Sequence, residues 1–129
     1  MIGLPGETID DAIATLDLNI ACRPTVAWAS LYQPYPGTDL GDRCRSVGLF
    51  SGTVDDLKPS FFEASVLPLP DKREFVNLQR LFGVAASSPT LRRGLRGLLK
   101  LPANRAYEWA QRAWKASRYD RLYAHEEVC

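Results

Sequence analysis

Two extended segments bracket one helix within the first 32 residues, and this arrangement restricts the fold more than any other feature of the chain. Met1-Ile2-Gly3-Leu4 ends on the turn-forming pair Pro5-Gly6, and Thr25-Val26-Ala27-Trp28-Ala29-Ser30-Leu31-Tyr32 is an almost unbroken apolar run. A continuous run with β-branched and aromatic members suits a parallel strand covered on both faces better than an alternating pattern does. Between the segments, Thr8-Ile9-Asp10-Asp11 reads as a capping box, with Thr8 at the N-cap and an acid three residues on. Ile9, Ile13, Leu16 and Ile20 then recur at helical spacing, and Pro24 stops the helix. Strand, helix and strand in that order form a βαβ unit, so the expected class is α/β with a parallel sheet.

Beyond the second strand, Pro34-Tyr35-Pro36-Gly37 is a rigid turn, and Leu40, Cys44 and Val47 continue on a short helix closed by Gly48. Residues 49–70 look irregular, with Phe61-Phe62 and Val66-Leu67 as apolar islands expected to pack on the sheet. The remainder reads as three helices. The first follows an Asp71-Lys72-Arg73-Glu74 cap and carries Phe75, Leu78, Phe82 and Ala85 on one face. Ser87-Ser88-Pro89 breaks it. Leu91, Leu95, Leu98 and Leu99 mark the second, ended by Pro102; Tyr107, Ala110 and Trp114 mark the third, running to about Tyr119.

With 129 residues, 46% apolar and 24% charged, the chain has the make-up of one ordinary globular domain. No apolar run approaches the ~18–20 residues of a membrane span. The first residues lack a basic region and a long apolar stretch, so no signal peptide is expected and a cytoplasmic protein is predicted. Cys22, Cys44 and Cys129 are odd in number and widely spaced, which argues against a disulfide framework or a structural zinc site. Reduced thiols are expected, with Cys22 and Cys44 partly buried and Cys129 exposed. Charge is uneven: residues 1–70 hold nine acids and four bases, whereas residues 71–129 hold six acids and twelve bases. The division near Pro68-Leu69-Pro70 separates an expected α/β part, 1–70, from a helical extension, 71–129.

In open α/β sheets and barrels, ligands bind at the C-terminal ends of strands. Two segments occupy such ends: Gly3-Leu4-Pro5-Gly6-Glu7-Thr8 and Gln33-Pro34-Tyr35-Pro36-Gly37-Thr38. The first places glycines before a helix N-terminus, where free amides and the helix dipole receive an anion or a polar ligand edge. The plainer reading of both is a tight connection at a strand end.

Met1-Ile2-Gly3-Leu4-Pro5-Gly6-Glu7-Thr8 resembles the signature after the fifth strand of radical S-adenosylmethionine barrels. Gln33-Pro34-Tyr35-Pro36-Gly37-Thr38-Asp39-Leu40 is similar to the end of the sixth strand in the class that carries an N-terminal cobalamin-binding domain. Ser60-Phe61-Phe62-Glu63 and Asn77-Leu78-Gln79-Arg80-Leu81-Phe82 resemble the C-terminal extension of that class. The resemblance implies the last two strand–helix units of a partial parallel, TIM-like barrel followed by an α-helical extension. It implies that Gly3, Leu4, Pro5, Gly6 and Glu7 line a site for S-adenosylmethionine, and that Gln33, Pro34 and Tyr35 face the substrate cavity. It also implies a 4Fe-4S cluster and cobalamin in the full-length enzyme.

The chain departs from that family at the cluster. Its three cysteines do not follow the Cys-x-x-x-Cys-x-x-Cys spacing, so no metal ligand and no catalytic residue is assigned, and none of the cofactors is expected to bind stably to this fragment. Its expected partners are the missing N-terminal part of the same enzyme and an unidentified substrate. Two strand–helix units cannot close a barrel, which leaves an open strand edge.

Other candidates have plain explanations. Glu7, Asp10 and Asp11 complement a helix dipole, and His125 reads as a surface histidine. The rival function class is a stand-alone binding module. Arg92, Arg93, Arg96, Lys100, Arg105, Arg112, Lys115, Arg118 and Arg121 accompany Tyr107, Trp109 and Trp114, as on a surface for nucleic acid or an anionic membrane. A solvated face on packed helices explains the same residues.

Overall fold

The computed structural model describes residues 1–57, 65–102 and 105–123. Five α-helices and one short 3-10 helix carry the described fold: α1 Ile9–Cys22, α2 Asp39–Ser46, the 3-10 turn Val54–Asp56, α3 Lys72–Ser87, α4 Pro89–Leu99 and α5 Arg105–Tyr123. The expected parallel-barrel units are not formed. Among the described residues there is no strand, only one isolated parallel bridge between Ile2 and Leu31. It consists of Ile2 N–H to the Ser30 carbonyl at 3.0 Å and Tyr32 N–H to the Ile2 carbonyl at 2.9 Å.

The physical reason lies in both segments. Gly3 turns into a positive φ of 79°, so the first segment leaves the extended region one residue after its only pair. On the bridged edge of the second segment the next carbonyl, that of Tyr32, accepts from the Ser65 hydroxyl at 3.2 Å instead of a strand neighbour, and the N–H that would reach it, that of Leu4, donates to the Glu7 carboxylate at 2.8 Å. Nor is that segment covered on both faces. Ala27, Ala29 and Leu31 are buried, but Trp28 is 55% exposed between them.

Helix boundaries follow local chemistry. Thr8 accepts from Asp11 N–H at 3.2 Å while the Asp11 carboxylate accepts from Thr8 N–H at 2.9 Å, the reciprocal capping box. Hydrogen bonds from the Thr8 hydroxyl and then its backbone hold the Asp11 carboxyl below its ordinary range. α1 ends at Arg23 in the left-handed region, directly before Pro24. Ser88 caps α4, whose first residue is Pro89, where a missing N–H costs nothing. α5 runs to Tyr123, past the expected end near Tyr119. The Phe61-Phe62 island, Ser60 to Glu63, His125 and Cys129 lie outside the described residues.

One core cluster joins the two halves of the chain. Ile2, Ile13, Leu16 and Leu31 pack with Phe75, Leu78, Phe82, Leu95 and Leu99. α3 is its axis, touching α1, α4 and α5. α5 reaches α3 through Gly83, where the Trp114 ring packs on bare backbone. A second cluster gathers Tyr32, Cys44, Phe50 and Leu67 beneath the loops, and Leu69 packs against both.

The uneven charge of the two halves is partly internal. Acids of α1 meet bases of α4: Arg92 forms a two-pronged pair with Asp17 at 2.5 and 2.6 Å, and Arg96 pairs with Asp10 at 2.6 Å. The Arg92 hydrogen bonds hold the Asp17 carboxyl below its ordinary value. A carboxyl whose folded value is depressed stabilises above the unfolded value of about 3.9, and that contribution disappears as pH falls through the folded value. Because the pair is solvent-screened, Arg92→Ala should cost about 0.5 kcal/mol at neutral pH. In urea titrations across acid pH, the gap between wild type and Arg92→Ala should close as the medium passes below the folded value of Asp17. A gap independent of pH would show that the pair is not the source.

Candidate functional site

The Pro5-Gly6 turn, the predicted ligand segment, stands between two cavities. The larger, about 350 Å³, is walled on one side by Pro5, Gly6, Glu7 and Thr8 and on the other by Leu67–Asp71, with Leu49 and Phe75 also facing it. The smaller, about 310 Å³, lies between Pro5-Gly6 and the α2 residues Leu40, Arg43 and Cys44. Both fall at the small end of the range for ligand pockets.

Local geometry explains the turn. Gly6 has φ 79°, a conformation costly for a residue with a side chain. Glu7 closes the turn on itself: its N–H donates to the Leu4 carbonyl at 3.0 Å and its carboxylate accepts from Leu4 N–H at 2.8 Å. Part of the Glu7 side chain is therefore committed to structure.

The five residues predicted for the cofactor site divide. Pro5, Gly6 and Glu7 line the larger cavity. Gly3 is buried, and a methyl group there would lie 3.2 Å from Leu69 and 3.9 Å from Phe75; it is a packing position beneath the cavity wall. Leu4 is half-buried against the second cluster.

The three substrate-cavity residues do not line the larger cavity. Gln33 and Pro34 are buried and Tyr35 is 37% exposed. Their segment is a stiff turn in which Tyr35 N–H donates to the Gln33 carbonyl at 3.0 Å and the Thr38 hydroxyl donates to the Tyr35 carbonyl at 2.7 Å. Gly41 fits beneath it because any side chain would overlap the Tyr35 carbonyl oxygen.

Leu67–Asp71, Leu49 and Phe75 are cavity walls that sequence reasoning did not single out. The available signal was Pro68 and Pro70 flanking Leu69, a stretch held extended directly before the α3 cap.

The two described cysteines stand in different surroundings. Cys22 is exposed at the end of α1, not partly buried as expected, while Cys44 is fully buried in the second cluster. Burial pushes the Cys44 thiol up, and burial followed by the neighbouring Cys44 pushes the Tyr32 phenol up, so both stay protonated at neutral pH. Among the described residues no group of three or more His, Cys, Asp or Glu is placed to hold a metal ion.

The basic segment is partly consumed by internal pairing. Arg92 and Arg96 pair with acids of α1, and Arg80 of α3, outside that segment, pairs with Glu108 of α5 at 2.9 Å. Tyr107 donates to the Leu98 carbonyl at 2.8 Å, and Trp114 Nε1 donates to Ser87 Oγ at 3.0 Å. Trp109 alone of the three aromatics stands out, 72% exposed between Arg105 and Arg112. No helix among the described residues is long and apolar enough to cross a membrane. Comparison with protein families, curated proteins and solved structures returns no match for this chain.

Proposed function

We propose that this chain is part of a cytoplasmic radical S-adenosylmethionine enzyme of the cobalamin class. In this reading the Pro5–Thr8 turn forms one side of the S-adenosylmethionine site, and Gln33, Pro34 and Tyr35 stiffen the border of the substrate region. The observation that supports it is the placement of the two motif segments. They run side by side in the same direction, joined at Ile2 and Leu31, and each enters a glycine-bearing turn and then a threonine-capped helix.

Bound S-adenosylmethionine supplies the radical or methyl-transfer chemistry of such enzymes. This chain's own residues bind and orient: Gly6 allows close approach to the main chain, and Glu7 fixes the turn through Leu4 N–H. The cluster and cobalamin belong to the remainder of the enzyme. The internal pairing of Arg92 and Arg96, two of the nine bases of that segment, weighs against the rival reading of a broad basic binding face.

The test is the nucleotide sequence upstream of the Met1 codon. An open frame encoding a Cys-x-x-x-Cys-x-x-Cys loop is the expected result. A stop codon with a ribosome-binding site immediately upstream, giving a chain that cannot contain such a loop, overturns the proposal.

A further inference from the structure

We infer that the outer face of α5 carries a site for single-stranded nucleic acid, where Trp109 stacks one base and Arg105 and Arg112 hold the phosphates on either side. The inference is independent of the reading above, since it uses no residue of the Pro5–Thr8 turn or of the cavities beside it.

Residues three and four apart share a helix face, so Arg105, Trp109 and Arg112 form one row with the indole in the middle. All three line one cleft of about 310 Å³. Trp109 is the most exposed large apolar side chain among the described residues. It is not needed to seat α5, because Tyr107 is buried and Trp114 packs on Gly83. Alanine or glutamine at 109 would serve the helix as well or better. The indole therefore has no internal task that matches its size.

The charge of the cleft points to the same class of ligand. Glu108, the fourth residue lining it, is matched by Arg80 of α3 at 2.9 Å. Arg105 and Arg112 are exposed, and neither pairs with an acid among the described residues. Two uncompensated guanidinium groups thus flank an open aromatic face. A simple anion would use the arginines and not the indole, and an apolar ligand the reverse. A nucleic-acid strand uses both, with a base plane on the ring and phosphate oxygens on the guanidinium forks.

Spacing sets the ligand's length. Seven residues separate the two arginines, about 10.5 Å along the helix axis at 1.5 Å per residue. A mononucleotide carries phosphate on one side of its base, whereas a strand carries it on both. A duplex keeps its bases paired and stacked away from the indole. A membrane fits less well, because a helix lying on a bilayer needs a continuous apolar stripe. The apolar stripe of α5 is spent on α3, and the outer face adds only alanines to its one indole.

The experiment is fluorescence anisotropy of a labelled oligothymidylate of about 12 nucleotides, within the site sizes of such surfaces, titrated with the 129-residue chain. Saturable, salt-sensitive binding is expected. Trp109→Ala should weaken it about tenfold, the worth of one stacked base, and Trp109→Phe should restore most of the loss. Arg105→Gln and Arg112→Gln should each reduce the slope of log affinity against log salt by about 0.7, the share of one phosphate contact. Arg93→Gln, an exposed base of α4 outside the cleft, should leave affinity unchanged. Thymidine monophosphate and polyglutamate, at matched charge, should compete poorly.

Absence of saturable binding would overturn the inference, as would a Trp109→Ala variant that binds like wild type. A loss at Arg93→Gln equal to that at Arg112→Gln, or full competition by polyglutamate, would show diffuse charge attraction in place of a site. Retention on phosphatidylglycerol vesicles without binding of the oligonucleotide would assign the face to a membrane instead.

Discussion

Gly83→Leu is expected to destabilise the chain by about 3 kcal/mol or more, toward the upper end of the overpacking range, and to release α5 from α3. Gly83 sits inside α3, where glycine costs about 1 kcal/mol relative to alanine, so its presence requires a compensating contact. A single methyl group there would fall 2.5 Å from two ring carbons of Trp114 and 2.7 Å from the Ala27 carbonyl oxygen. The carbonyl cannot rotate away, because it belongs to the segment pinned by Gln79 and the Ile2–Leu31 bridge. The ring is held on its other side by Nε1 donating to Ser87, which in turn donates to the Gly83 carbonyl at 2.9 Å. Urea unfolding should show the loss, and Trp114 emission should shift toward that of a hydrated indole before the main transition. Gly94 and Gly97 of α4 provide the control: nothing lies within 4 Å of a methyl group at either. Alanine there should stabilise by about 1 kcal/mol each. Equal effects at all three positions would show that α5 is not seated on α3.

How far the fold was legible depended on the distance between cause and effect along the chain. The Thr8–Asp11 box, the Ser88-Pro89 break and the apolar stripe of α3 are local, and each appears where its residues stand. The expected strands failed because strandness belongs to a pair. The run Thr25–Tyr32 has the right composition, but its neighbour offers one pairing residue before Gly3 turns away, and the Ser65 hydroxyl takes the next carbonyl on that edge. A continuous apolar run also does not reveal which residue will face solvent, as exposed Trp28 between two buried alanines shows.

The candidate site was half legible for a related reason. Pro5, Gly6 and Glu7 were singled out because a glycine-bearing turn before a capped helix is a sequence pattern, and they line the larger cavity. Gly3 has φ 79° and lies under Leu69 and Phe75, and a pattern cannot separate a glycine that turns and packs from one that admits a ligand. Asp71 read as a helix cap. Its position on a cavity wall more than sixty residues from Pro5 depends on how α3 docks, and only the assembled core determines that.

Asn77→Asp should destabilise the chain by about 3–5 kcal/mol at neutral pH, the cost of an uncompensated buried charge. Asn77 is fully buried on α3, and its amide nitrogen donates both hydrogens, to the carbonyls of Leu99 and Leu101, each at 2.9 Å. Leu99 is the last residue of α4, where its carbonyl has no intrahelical partner, and Leu101 lies just beyond the helix, so one side chain both closes α4 and fastens its exit to α3. A carboxylate in the same place would set negative charge against two carbonyl oxygens. The acid form, with one O–H, could still serve one of them, so the folded state would hold the proton and raise the carboxyl's pKa above its unfolded value near 3.9. The sign follows. Below the unfolded value both states are protonated and the variant recovers most of its stability; as pH rises from there to the folded value, stability is lost, and above that it stays low. Asn77→Leu removes the same bonds without a charge and should cost about 2–3 kcal/mol at every pH, since two carbonyls lose their donor in a site that remains filled. Urea titrations of both variants from acid to neutral pH separate the terms. If Asn77→Asp matched Asn77→Leu at neutral pH, the end of α4 would be open to water and the fastening of α4 to α3 would rest on Leu95 and Leu99 alone.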